Sequence, residues 1–121
     1  MLDKIKNIFK KGPLLANKHK LFLDVLKEFL EKTAEENDLC LATRKRYKLQ
    51  YSNMEAYFVD AGLSNLTICD VRVKHMQDLQ TWLKTRLKTC SVTYASRHVE
   101  LCKRASKYAV LMEYANFDYL S

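Results

Sequence analysis

Two glycines and a single proline in 121 residues constrain this chain more than any other feature. Glycine supplies the positive φ of hairpin turns, and proline pre-sets the first angle of tight reversals. A sandwich or barrel reverses direction roughly every 8–12 residues, so a many-stranded β architecture has almost nothing here to build its turns from. A few long helices with short connections need far less.

The hydrophobic pattern agrees, because four stretches place apolar residues at the i, i+3, i+4 spacing of one helix face. Over 19–37 these are Leu21, Phe22, Val25, Leu26, Phe29 and Leu30. The opposite face carries Asp24, Lys27, Glu28, Glu31, Lys32 and Glu35, and Asn37-Asp38 ends the pattern. A second helix is predicted from Thr43, as N-cap, to Ala61, with Tyr47, Tyr51, Met54 and Phe58 on its stripe and Gly62 as its stop. A third spans about 73–88, with Val73, Met76, Leu79 and Leu83 on one side and Trp82 beside them. The last spans about 93–114 and aligns Ala95, His98, Cys102, Ala105, Ala109 and Met112, a stripe whose small residues permit close helix approach. The pattern predicts an all-α bundle of four helices. Residues 1–18 are expected to form a short basic arm or amphipathic helix ahead of it, with Leu2, Ile5, Ile8 and Phe9 on one face before Gly12-Pro13. A chain of this length suits one domain, predicted over 19–115, and residues 116–121 read as the start of a linker.

Charge is distributed unevenly. Lys and Arg number 21 against 14 Asp and Glu, for a net charge of +7. Residues 1–20 are net +5, residues 21–42 net −4, and residues 43–121 net +6. An excess of this kind usually has a polyanion as partner, either nucleic acid or an anionic membrane surface. The acidic first helix and basic later ones predict one face that repels phosphate and another that attracts it. Two clusters stand out: Thr43, Arg44, Lys45, Arg46 and Lys48 opening the second helix, and Thr93, Ser96, Arg97, Lys103, Arg104 and Lys107 along the last. Cations in a first turn oppose the helix macrodipole, at roughly a few tenths of a kcal/mol each, which points to a use other than stability. Arg and Lys interleaved with short hydroxyl side chains suit a duplex: the cations neutralise phosphates, while Thr43, Thr93, Ser96 and Arg97 can reach base edges. A solvated basic surface is the plain alternative reading of the same charges.

Chemistry-bearing motifs are scarce. The sequence has no Gly-rich phosphate loop, no Gly-x-Ser-x-Gly elbow and no His-Glu-x-x-His, so no catalytic residue is expected. Cys40, Cys69, Cys90 and Cys102 are irregularly spaced, and His19, His75 and His98 fall in different segments, so neither a metal nor a cofactor is expected. The cysteines fit reduced thiols in a cytosol. His98 and Cys102 lie on an apolar stripe and are expected in the core, and Asp24/Glu28 and Glu35-Glu36 on a solvated face. No apolar run reaches the ~20 residues that span a bilayer, so no membrane partner is expected.

Three stretches carry a family resemblance. The run Thr43-Arg-Lys-Arg-Tyr47-Lys, followed by an apolar helix, is similar to a Thr-x-x-Arg-Tyr helix opening. Asp70 to Leu83 is similar to an x-Ile-Thr-x-x-x-Ile-x-x-Phe-x-x-Tyr-Leu helix, with Arg72-Val73 where Thr-Pro is usual. Ser91 to Lys103, then Tyr108-Ala109-Val110, is similar to Ser-x-x-Thr-x-Asn-Lys/Arg-His-Ile/Leu-x-x-Leu-Lys…Ala-Val, with Ser96 in place of the frequent Asn. In this order and spacing, over about residues 20–115, they resemble the SAM-like core-binding domain of phage integrases and other tyrosine site-specific recombinases. The likeness is closest to integrases of conjugative transposons of Bacteroides-type bacteria.

That resemblance implies a four-helix orthogonal bundle forming one half of a clamp on double-stranded DNA at a recombination core site. Its second and fourth helices would face the duplex, where both basic clusters fall. It further implies a bacterial cytoplasmic, nucleoid-associated protein whose parent is tetrameric on DNA, the domain alone being a monomer. A separate catalytic domain of the same parent protein would supply an Arg, a Lys, a His-x-x-Arg and a nucleophilic Tyr. No His-x-x-Arg occurs in these residues, so this chain is expected to be non-catalytic. One rival is a helical protein–protein module whose basic face docks an acidic partner; another is a membrane-surface protein led by residues 2–11.

Overall fold

The computed structural model describes residues 20–86 and 91–121. They form four helices: α1 (Phe22–Glu36), α2 (Leu41–Asp60), α3 (Val73–Arg86) and α4 (Val92–Leu111). The fold is all-α, as the periodicity predicts. The arm expected over 1–18, with its amphipathic stretch 2–11, lies outside the described residues, as do His19, Lys88 and Cys90.

Three of these helices stop by the same device. Asp38, Gly62 and Glu113 take the left-handed conformation, with φ of 48°, 72° and 63°. In each case the next N–H reaches back five residues to a helix carbonyl: Leu39 to Ala34 at 3.1 Å, Leu63 to Phe58 at 2.7 Å, and Tyr114 to Ala109 at 2.8 Å. Carbonyls left without a partner at the helix end are satisfied in this way. Glu113 therefore ends α4 at Leu111, short of the predicted residue 114.

Helix starts differ more from expectation. Lys20 and Leu21 are extended rather than helical, because Phe22 N–H donates to the Leu66 carbonyl and Ile68 N–H to the Lys20 carbonyl, both at 2.9 Å. This isolated bridge, Leu21 to Thr67, pins the chain entry to the α2–α3 connection. Cys40, and not Thr43, is the N-cap of α2. Four residues separate α1 from α2, so the chain must re-enter helix at once, and Thr43 falls inside the first turn with its hydroxyl 3.4 Å from the Cys40 sulfur. In α4 the Ser91 hydroxyl accepts the Tyr94 N–H at 3.0 Å, which starts the helix at Val92. At α3 the His75 Nδ1 accepts the Arg72 N–H at 2.9 Å, a reciprocal bond from the third helical position.

α1 and α3 each pack against both α2 and α4. Phe22, Val25 and Leu26 of α1 meet Met54, Tyr57 and Phe58 of α2, Leu79 and Leu83 of α3, and Ala95, Cys102, Ala105 and Ala109 of α4, all buried. Phe22 and Phe58 stack at 5.6 Å. On α2 the buried line is Gln50, Met54, Tyr57 and Phe58, and the predicted Tyr47 and Tyr51 sit half-buried at its edge. Residues 116–121, expected to begin a linker, pack back on the bundle instead. Leu120 is buried, and the Asp118 carboxylate accepts the Ser106 hydroxyl at 2.6 Å and the Leu120 N–H at 3.1 Å. No helix among the described residues is long and apolar enough to cross a membrane.

Candidate nucleic-acid interface

The basic cluster at the start of α2 is divided by the helix that carries it. At about 100° per residue, Arg46 lies roughly 200° round the helix from Arg44, while Lys48 shares Arg44's side. Arg44, Lys45 and Lys48 line a broad groove of about 940 Å³ between α1 and α2, together with Glu31, Glu35 and Glu55. Acidic groups offset the cations there. Arg44 is also turned inward: its Nε donates to the Leu39 carbonyl at 2.7 Å and its Nη2 to the Ala34 carbonyl at 3.1 Å, with Asp38 at 3.9 Å. Arg44 thus closes the C-terminal end of α1, where a cation is favoured.

Arg46 faces the other way. It lines a second groove, of about 370 Å³, between α2 and α4, together with Arg97, Arg104, Glu100, Tyr47, Gln50 and Leu101. Arg97 and Arg104 are seven residues apart, two turns along one line of α4, and both are exposed. Thr93 and Lys107 continue that exposed line, and Lys103 is exposed beside it. The Arg104 guanidinium lies 5.6 Å from the centre of the Phe29 ring, which braces it against α1. Of the predicted positions, Arg46, Arg97 and Arg104 are therefore gathered into one concave site, with Thr93, Lys103 and Lys107 on its α4 flank. Thr43 and Ser96 are not. Thr43 is half-buried beside Cys40, and the half-buried Ser96 hydroxyl accepts the Gln80 side-chain N–H at 2.8 Å, which ties α3 to α4.

Gln50, at the floor of the groove and 3% exposed, is the residue that sequence reasoning missed. Its signal was present: it falls three residues after Tyr47 and four before Met54, a polar side chain on an otherwise apolar stripe.

Other polar groups are committed to the framework. His98 is fully buried; its Nδ1 donates to the Tyr94 carbonyl at 2.9 Å, so its Nε2 accepts the Asn53 amide at 3.2 Å. Burial holds its pKa below the usual imidazole value, which favours this neutral tautomer. Burial likewise pushes the Cys102 thiol up, and its hydrogen points at the Met54 sulfur 3.4 Å away. Glu28, expected on a solvated face, instead accepts the hydroxyls of Tyr108 at 2.5 Å and Tyr114 at 2.6 Å and pairs with Lys20 at 3.7 Å. Desolvation raises the Glu28 pKa, but these donors outweigh it and leave the carboxyl below its ordinary range. The hydrogen bond to Glu28, with burial beside it, in turn pushes the Tyr114 hydroxyl up to about 12. Among the described residues no group of three or more His, Cys, Asp or Glu is placed to hold a metal ion.

Comparison with protein-family models, with curated proteins and with solved structures gives no match for this chain.

Proposed function

We propose that this chain is a DNA-gripping module, the SAM-like core-binding domain of a tyrosine site-specific recombinase. The observation that carries the reading is the convergence of Arg46 from α2 with Arg97 and Arg104 from α4 on one exposed groove. Lys103 and Lys107 extend the cationic surface along α4. Cations presented from two helices track a phosphate backbone, and their spread over the α4 face gives room for several phosphate contacts. Thr93 and Arg97 are the side chains of this surface suited to base edges, since both are exposed on the outward line of α4. The acidic α1 carries Glu31 and Glu35 to the α1–α2 groove, away from the three arginines, so a duplex meets the α2–α4 side.

In this reading the domain contributes clamp affinity in a bacterial cytoplasm, on the nucleoid, and a catalytic domain of the parent protein cuts and rejoins the strands. Half a clamp makes half the contacts, so the isolated domain binds weakly and with a pronounced dependence on salt. Fluorescence-anisotropy titration with random duplex DNA across a salt series tests it. A linear fall of log affinity against log salt, with a slope of several units, is the expected result, each neutralised phosphate contributing about 0.9. Absence of binding at low salt removes the DNA reading and moves the assignment to an acidic protein partner.

A further inference from the structure

Gln50 is almost wholly enclosed, yet its amide has no hydrogen-bond partner among the described residues. Buried side-chain amides are nearly always paired, so an unpaired one lining an open groove is a donor and acceptor waiting for a partner from outside. The groove above it is rich in donors. Arg46, Arg97 and Arg104 bring three guanidinium groups to it, and Glu100 is its one carboxylate, which leaves a local charge of +2. A planar carboxylate is satisfied by one arginine fork and would leave the other donors over. A tetrahedral oxyanion offers acceptor oxygens in several directions and matches donors arriving from two helices and from the floor. The space, about 370 Å³, is larger than a lone phosphate and admits the group esterified to it.

We propose that the α2–α4 groove is a receptor for one phosphate ester, with the guanidinium groups of Arg46, Arg97 and Arg104 as its walls and the Gln50 amide N–H groups as its floor. The phosphate is either a diester drawn in from a DNA backbone or a free monoester of nucleotide size. Both present the same oxyanion to the same donors. Glu100 opposes the ligand's charge and lowers affinity. The site stands on its own geometry and survives if duplex binding fails.

The test follows the Gln50 side-chain NH₂ resonances in the ¹⁵N-labelled 121-residue chain during titration with inorganic phosphate, adenosine monophosphate and a short duplex, against sodium chloride at equal ionic strength. A saturable shift with the phosphates is expected. Arg104→Ala should weaken it by about tenfold, as for loss of one hydrogen bond to a charged group, and Gln50→Met should weaken binding as much when read from backbone amide shifts around the groove. Glu100→Gln, an exposed change that leaves the packing alone, should tighten it severalfold. A shift with the duplex but not with free phosphates assigns the site to the DNA backbone. A shift with phosphates while anisotropy finds no duplex binding keeps the receptor and discards the DNA reading. Gln50 resonances that move no more than in sodium chloride, or a Gln50→Met variant that responds like the parent in its backbone shifts around the groove, overturn the proposal.

Discussion

Arg44 sits in the first turn of α2, where the macrodipole disfavours a cation. Its sequence neighbours suggest a phosphate contact, but its guanidinium spans the turn to the carbonyls of Ala34 and Leu39 and so serves the end of α1. The partners lie five and ten residues upstream, and nothing in the local pattern announces them. Arg44→Ala leaves the Leu39 carbonyl to water, leaves the Ala34 carbonyl with only the Leu39 N–H, and removes the charge complementary to the α1 terminus. The expected loss is about 1–2 kcal/mol of unfolding free energy, partly offset by relief at the start of α2, read from urea melts. Duplex affinity should fall by less than for Arg46→Ala, because Arg46 and not Arg44 lines the α2–α4 groove. The reverse order would return Arg44 to the interface.

At the scale of elements, the stops were partly legible. Gly62 and Asn37-Asp38 mark left-handed helix ends by residue type, but a glutamate gives no such sign, so Glu113 was missed and α4 predicted too long. Starts were less legible: Thr43 has the better side chain for a cap than Cys40, and the shortness of the α1–α2 connection decided against it. The site divides similarly. Arg46, Arg97 and Arg104 were readable as exposed cations at helical spacing, whereas the burial of Gln50 and the split of the α2 cluster needed to know which sides of α2 meet α1 and α4. Glu113 carries a testable consequence. A left-handed non-glycine residue costs about 1–2 kcal/mol, and glycine returns part of that gain as chain entropy. Glu113→Gly should therefore raise stability by about 0.5–1 kcal/mol, while Asp38→Gly should gain less, since aspartate tolerates this conformation better. A loss of stability at Glu113 would mean that its side chain supports the fold in some further way.

The whole molecule is electrically polar. The segment around α1 is net −4 although the chain is net +7, and three of its six carboxylates serve two tasks. Glu28 fastens Tyr108 and Tyr114 to α1, and Glu31 and Glu35 line the α1–α2 groove beside Lys27 and Lys48. If net charge alone attracted DNA, Lys27→Ala and Arg97→Ala would weaken binding equally, since each removes one unit. If the α2–α4 face holds the backbone, only the second removes a contact. Arg97→Ala should then cut duplex affinity several-fold and flatten the salt dependence by about one unit of log–log slope, while Lys27→Ala leaves the slope unchanged. Because the Arg97→Ala line is the flatter of the two, the gap between the variants should be widest at low salt and narrow as salt is raised. Two variants that stay parallel across the salt series would place the attraction in the overall charge and leave the arginine groove without a share in it.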